Sequence, residues 1–324
     1  MKILIIPDQH GQSNGLKVAK EKIDEVDFVV FLGDFFDNYS PAYRGMKAVE
    51  NFKDICSFAR NNKEKVKLVI GNHDLDNYIY FGQCSGFQRE WFNEYNKALA
   101  ENIDLLNIAY EIDGYVFSHA GFSTKWVENL ENTKWVESLK NKERKKDFVS
   151  NDYWKSLTVI EKTNYLFHKQ FNESRHINRD YDLRNWFTFY RWDMSGYGEN
   201  SNQSPIWIRP QALLENAYFN KQVVGHTEYC IDDYVALKDK ENYVLLCDSK
   251  NHVPFGVFDT ENPPVAITYL ELQREYKKKV KKINDLLSKF GTPDEVFTEN
   301  QKMEIIKENF GDKAQFYYEN YFKE

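Results

Sequence analysis

An α/β fold is predicted by three observations in the first 74 residues. Apolar runs at 3–6, 28–32 and 68–70 have the length of buried strands and stop at Pro7, Gly33 and Gly71. Stretches with helical spacing separate them, which gives a β-α-β-α-β order and a parallel sheet. Each run is followed at once by metal-ligand or acid–base side chains: Pro7-Asp8-Gln9-His10-Gly11, Gly33-Asp34-Phe35-Phe36-Asp37 and Gly71-Asn72-His73-Asp74. The carboxyl edge of an open α/β sheet is where such folds place their chemistry.

In chain order, Leu16, Val18 and Ile23 space a helix over 15–25, between the first two strands. Met46, Val49, Phe52, Ile55 and Phe58 put one apolar face on a helix over 44–61. Residues 75–109 read as helical and aromatic, and strands follow at 108–112 and 115–119, joined by the turn signal Asp113-Gly114. The second of these ends in Ser118-His119-Ala120-Gly121. Residues 122–204 form a polar insertion with helices near 126–149 and 153–171. A short helix is expected at 211–218, and strands at 222–224, 243–247, 255–258 and 265–270. From Glu271 onward, Tyr276, Val280, Ile283, Leu287 and Phe290 recur at helical spacing, Gly291 caps, and Thr292-Pro293-Asp294 starts another helix. The domain expectation is a body over 1–270 and a helical extension over 271–324. The lysines of 277–282 read as a solvated helix face.

Bulk composition narrows the class. The chain has 324 residues, 42% hydrophobic and 29% charged, as a globular protein has. Net charge is −7 and the pI near 5.7, which excludes a general nucleic-acid binder. No apolar run reaches the roughly 20 residues of a membrane helix. No signal-peptide pattern opens the chain, and Cys56, Cys84, Cys230 and Cys247 form no CxxC pair. A cytoplasmic protein with free thiols is expected.

The chemistry-bearing set is Asp8, His10, Asp34, Asn72, His119 and His226, the last in Gly225-His226-Thr227. Carboxylate, imidazole and one amide oxygen suit Mn, Fe or Zn better than calcium. Asp34, at the end of the central strand, is placed to bridge two ions about 3.5–4 Å apart. Taken singly each signal is weak, since Asp-x-His or Gly-Asp usually marks a turn. Five strand ends in succession that carry such residues beside glycine are a different matter. His168, His176 and His252 lack that context and read as ordinary histidines.

These motifs, in order and spacing, resemble the calcineurin-like metallophosphoesterases, over about residues 2–260. The likeness is nearest to the branch with serine/threonine protein phosphatases and diadenosine tetraphosphate hydrolases. The resemblance implies two mixed β-sheets packed as a sandwich flanked by helices. It assigns Asp8 and His10 to one metal, Asn72, His119 and His226 to the other, and Asp34 to both. It makes His73 the proton donor, oriented by Asp37, and expects two divalent ions, manganese first. Glu228 stands where the phosphodiesterase branch carries a further histidine, which favours the phosphatase branch. Asn38 stands where protein phosphatases carry a phosphate-binding arginine; the nearest is Arg44. Arg209, in Trp207-Ile208-Arg209-Pro210, resembles the family's other phosphate-gripping arginine, so substrate contacts are expected from Asn72, Arg209 and Asn38.

The function so read is hydrolysis of phosphate monoesters, on phosphoprotein or a small ester, by hydroxide activated between two metals. No Ser or Cys sits in a nucleophile motif, so no phosphoenzyme is expected. The alternative is a nucleotide hydrolase of the dinucleoside polyphosphate type, with Trp126, Trp135, Trp154 or Trp186 stacking a base, although core packing is the commoner use of such rings. A non-catalytic member binding a partner through its carboxyl-terminal helices is the rival from another class.

Overall fold

The computed structural model describes residues 1–79, 84–130, 151–174, 189, 201–228, 234–248, 256–290 and 298–310. The chain divides into two compact units, Met1–Ala266 and Ile267–Glu324. The first begins with β1 (Lys2–Ile6), α1 (Asn14–Lys22), β2 (Phe28–Phe31), α2 (Met46–Asn61), β3 (Val66–Val69), α3 (Asn72–Tyr78) and α4 (Phe92–Glu101). It continues with β4 (Leu106–Asn107), β5 (Ala109–Ile112), β6 (Tyr115–Ser118), α5 (Thr124–Leu130), α6 (Asn151–Ser156) and α7 (Val159–Ser174). It closes with α8 (Pro210–Glu215), β7 (Lys221–Val224), β8 (Val235–Asp239), β9 (Asn242–Leu246) and β10 (Gly256–Asp259).

Two mixed five-stranded sheets result, in the orders β10-β1-β2-β3-β4 and β5-β6-β7-β9-β8. In the first, β1 to β4 are parallel, with Ile5 opposite Val30 and Val30 opposite Lys67, and β10 runs antiparallel beside β1. In the second, β6, β7 and β9 are parallel and β5 and β8 are antiparallel borders.

Alternation along β1 sorts the layers. Ile3 and Ile5 meet Val30, Leu32, Val69, Phe117, Val223 and Leu245 between the sheets. Leu4 and Ile6 meet Val29, Phe31, Ala19, Phe52, Ile55 and Leu99 beneath the helices. Strands buried on both faces need apolar residues at every position, which is why these runs are continuous. The sandwich with outer helices agrees with the architecture expected from sequence.

Differences from the expected elements have local causes. The stretch 265–270 is not a strand; Thr268 and Glu271 form a capping box that starts a helix at Tyr269, and Val265 is 91% exposed. β8 was not foreseen, because its hairpin to β9 turns at Lys240-Glu241, without Gly or Asn. Lys240 takes the left-handed conformation there (φ 52°). In the insertion, a second box, Thr158 with Glu161, separates α6 from α7. Trp126 and Trp154 are buried in the core and cannot stack a base, while Trp135 and Trp186 lie outside the described residues.

The second unit holds α9 (Tyr269–Phe290) and α10 (Glu299–Phe310). Leu272, Ile283 and Leu286 are its buried α9 residues, and Lys277, Lys278 and Lys281 are exposed, as a solvated face requires. The expected restart at 292–294 lies outside the described residues; α10 is capped by Thr298 with Gln301. Among the described residues, no helix is long and apolar enough to cross a membrane.

Candidate metal centre

The loops after β1, β2 and β3 bring Asp8, His10, Asp34, Asp37 and Asn72 to one edge of the first sheet. Those after β6 and β7 bring His119 and His226 from the second. Six non-glycine residues have positive φ among the described residues. Two, Asp113 and Lys240, sit in hairpin turns; the other four are His10 (43°), Asp34 (49°), Asp37 (65°) and His226 (64°). Such backbone turns the chain sharply in the loops that follow the strands, at a cost of about 1–2 kcal/mol per residue.

Glycines make room for the carboxylates. A β-carbon on Gly71 would lie 2.0 Å from Asp34 Oδ1, and one on Gly225 would lie 2.3 Å from Asp8 Oδ1. Each glycine belongs to one motif and accommodates an aspartate from another, so the motifs are sterically interlocked.

Two sets of ligand-type atoms lie within 4.8 Å of one another: Asp8, His10 and Asp34, and Asp34, His119 and His226. Asp34 is in both. Asn72 joins the second, its Oδ1 lying 2.8 Å from His119 Nε2 and 2.8 Å from His226 Nδ1. Each histidine spends its other nitrogen on a backbone carbonyl: His10 Nδ1 on Phe36 O (2.8 Å), His119 Nδ1 on Leu32 O (2.7 Å) and His226 Nε2 on Trp207 O (3.2 Å). A carbonyl can only accept, so these nitrogens donate, and His10 Nε2, His119 Nε2 and His226 Nδ1 face the site. This is the outer support that ligating imidazoles carry.

The donor set fits a cation. Burial, then Arg209 and His119, hold His226 well below the ordinary histidine range, so its Nδ1 bears no proton and faces Asn72 Oδ1 lone pair to lone pair. Burial would lower His119 too, but Asp34 and Asp8 hold it at about 10. Its single Nε2 proton then has two oxygens to serve, Asn72 Oδ1 and, at 3.4 Å, Asp34 Oδ2. Burial would raise Asp34, yet His119, His73 and His10 keep it well below the usual carboxylate range. A cation among these atoms satisfies all of them at once.

Beside this set, His73 Nδ1 contacts Asp37 Oδ2 at 3.1 Å, and the His73 and His10 rings meet edge to face at 5.1 Å. Burial would lower His73, but Asp34, Asp37 and Asp74 bring it up to about 9. It is an imidazolium at neutral pH in the ion-free protein. Arg209 is the residue before α8, and its Nη1 donates to His226 O (3.2 Å) and Thr227 Oγ1 (3.0 Å). Asn38 donates to His10 O (2.8 Å) and accepts Ser40 N–H (2.8 Å), so its side chain ties the loop after β2 to the loop after β1. Arg44 pairs with Glu90 at 3.3 Å. His168 contacts Asn107 Oδ1 at 3.0 Å, the ordinary role expected of it; His176 and His252 lie outside the described residues.

Three residues were given no role from sequence. Asp74 accepts Gly71 N–H (3.1 Å) and Phe35 N–H (2.7 Å), capping α3 and tying it to the loop that carries Asp34. Asn77 and Tyr78 both donate to Asp37. Spacing held one clue, since Asn77 is four residues after His73 and shares its helix face.

No curated protein sequence matches this chain. Among solved structures, a cold-active protein-tyrosine phosphatase of a psychrophilic Shewanella species is similar at 20% identity and a TM-score of 0.45. The match covers 78% of this chain and 72% of that one. A Saccharomyces cerevisiae protein serine/threonine phosphatase, described as similar to human phosphatase PP5, is similar at 15% identity and a TM-score of 0.37, covering 77% and 67%. At such values neither speaks to the substrate of this chain. The family model described as calcineurin-like phosphoesterase matches residues 1–198, which contain the four motifs from Asp8 to His119. The chain therefore belongs to the calcineurin-like phosphoesterase family, as a hydrolase acting on phosphoester bonds.

Proposed function

We propose that the protein is a dinuclear-metal phosphomonoesterase acting on a phosphoprotein or a small phosphate ester. The observation that carries this reading is Asp34's membership of both ligand groups, one carboxylate shared by two neighbouring sets. Asp8, His10 and Asp34 would hold one ion, and Asp34, Asn72, His119 and His226 the other. Two divalent ions, manganese first with iron or zinc as alternatives, would supply an activated water and positive charge for the phosphoryl oxygens.

The chain's own residues do the rest. His73, protonated and held by Asp37, donates a proton to the departing oxygen. Arg209 grips phosphoryl oxygens beside His226, where a guanidinium offers paired donors. Asn72 orients the phosphate with its amide. Asn38, with its side chain engaged by the loop, acts as a brace for His10 rather than as a phosphate contact.

Elemental analysis of the purified protein and a substrate panel test this together. The expectation is about two Mn, Fe or Zn per chain and fastest turnover of a phosphopeptide or a simple monoester. One ion or none, or a clear preference for dinucleoside tetraphosphates, overturns it.

A further inference from the structure

Asp37 receives more than His73. Its Oδ2 accepts from Asn77 Nδ2 as well, and its Oδ1 accepts from the Tyr78 hydroxyl. The direction of the second bond is fixed by its surroundings. Gln88 N–H, which can only donate, points at the Tyr78 oxygen at 3.2 Å, so the Tyr78 proton is left for Asp37. The same logic continues outward. Gly45 N–H donates to the Tyr95 oxygen (2.8 Å), and Tyr95 therefore gives its own proton to Gln88 Oε1 (2.9 Å). Two donor relays thus point inward, Gly45 N–H to Tyr95 to Gln88 Oε1 and Gln88 N–H to Tyr78 to Asp37, and His73 Nδ1–H donates to the same carboxylate from the other side.

The rings are held as firmly as the protons. Phe36 stacks on Tyr95 with centroids 4.3 Å apart and planes 16° from parallel. Tyr78 stands edge-on to both, at 5.7 Å from Phe36 and 4.8 Å from Tyr95. Tyr78 is fully buried, and burial, with Asp37 beside it, pushes its hydroxyl far up from the ordinary range, so it stays a donor. A carboxylate fed at both oxygens by fixed donors cannot rotate about its last bond. Its Oδ2 remains aimed at His73 Nδ1.

We infer that Tyr78, with Asn77, is a positioning residue for proton donation: it locks the Asp37 carboxylate so that His73 keeps one orientation. This rests on the reading of His73 as proton donor. Tyr78→Phe removes one hydroxyl and keeps the ring, so the aromatic packing survives. Without that donor, Asp37 Oδ1 has lost its fixed partner, and only the Asn77 and His73 bonds on Oδ2 restrain the carboxylate.

The test compares wild type, Tyr78→Phe, Asn77→Ala and His73→Asn on glycerol phosphate and on nitrophenyl phosphate, loaded with Mn²⁺ for kinetics and with diamagnetic Zn²⁺ for NMR. Asn77→Ala removes the donor to Asp37 without placing a second carboxyl beside it; it also removes the acceptor of Cys84 N–H (2.6 Å), so melting is its control. The expected result is a loss of about tenfold in kcat on glycerol phosphate for Tyr78→Phe, as one hydrogen bond to a charged group allows. On nitrophenyl phosphate, whose leaving group needs no proton, the loss stays under about twofold, with KM and metal content unchanged. Asn77→Ala should show the same selectivity, and in the Zn²⁺ form the downfield imidazole N–H resonance absent from His73→Asn should move in Tyr78→Phe. Equal losses on both substrates, no loss on either, or an unmoved resonance overturns the inference alone. Wild-type protein inactive on both substrates, or His73→Asn without selectivity, overturns the proton-donor reading and the inference with it.

Discussion

Asp34 Oδ1 accepts the backbone N–H of His73 at 2.9 Å, which turns Oδ2 toward His119 (3.4 Å) and His10 (3.8 Å). One carboxylate thus sets the start of α3 and faces both ligand sets.

Asp34→Asn keeps that backbone bond and removes the charge shared by the two sets. Activity should fall by about 10²–10³-fold, with fewer than two metals retained. A variant with both metals and near-normal turnover would show that Asp34 does not bridge.

His73→Asn separates acid catalysis from metal binding. Metal content should be unchanged, and the loss on an alkyl phosphate should reach about 10²–10⁴-fold. The pH dependence follows from the sign of the shift. His73 is raised to about 9, so its protonated form is full at lower pH and is lost as pH rises through that value. Bound cations move this limb to lower pH. The kcat profile on an alkyl substrate should therefore decline on its basic side, and the decline should vanish in His73→Asn.

Arg209→Ala should raise KM for a phosphomonoester by roughly tenfold or more, the worth of hydrogen bonds to a charged group. The variant also loses the contact to His226 O, so circular dichroism melting is the control. A large fall in Tm with unchanged kinetics would make Arg209 structural.

The proposed ligands come from both sheets, Asp8, Asp34 and Asn72 from one and His119 and His226 from the other. Ion binding should therefore couple to unfolding. Saturating Mn²⁺ should raise Tm by roughly 5–10 °C and a chelator should reverse it, as measured by calorimetry. An unchanged Tm would mean that ions do not join the sheets.

Cys56 lies in α2 among core residues, and burial pushes its thiol up to about 12. Iodoacetamide at pH 8 should leave it unmodified in native protein and modify it after denaturation, read by peptide mapping. Rapid native labelling would contradict its burial.

The strand ends were legible because strands buried on both faces write continuous apolar runs, and because each ligand follows its strand within four residues. The hairpin at Asp113-Gly114 announced itself, whereas the one at Lys240-Glu241 did not: a lysine in left-handed backbone leaves no signature. Val265 and Ile267 looked like a strand to hydropathy alone, yet Thr268 and Glu271 outweighed them by supplying a helix cap. Tyr78 could not be found at all, since its partner Asp37 is 41 positions away and only folding joins them. The bond from Asn38 to His10 O was hidden in the same way, since that partner is 28 positions away.

The four site residues in left-handed backbone have a consequence for anyone selecting variants of this protein. Glycine at His10, Asp34, Asp37 or His226 would relieve the torsional cost while deleting a functional group. A thermostability screen run without an activity readout should enrich such substitutions early and return sturdier, inert proteins. Selection on turnover alone should hold all four residues and find its stabilising changes elsewhere, in the helices and outer loops.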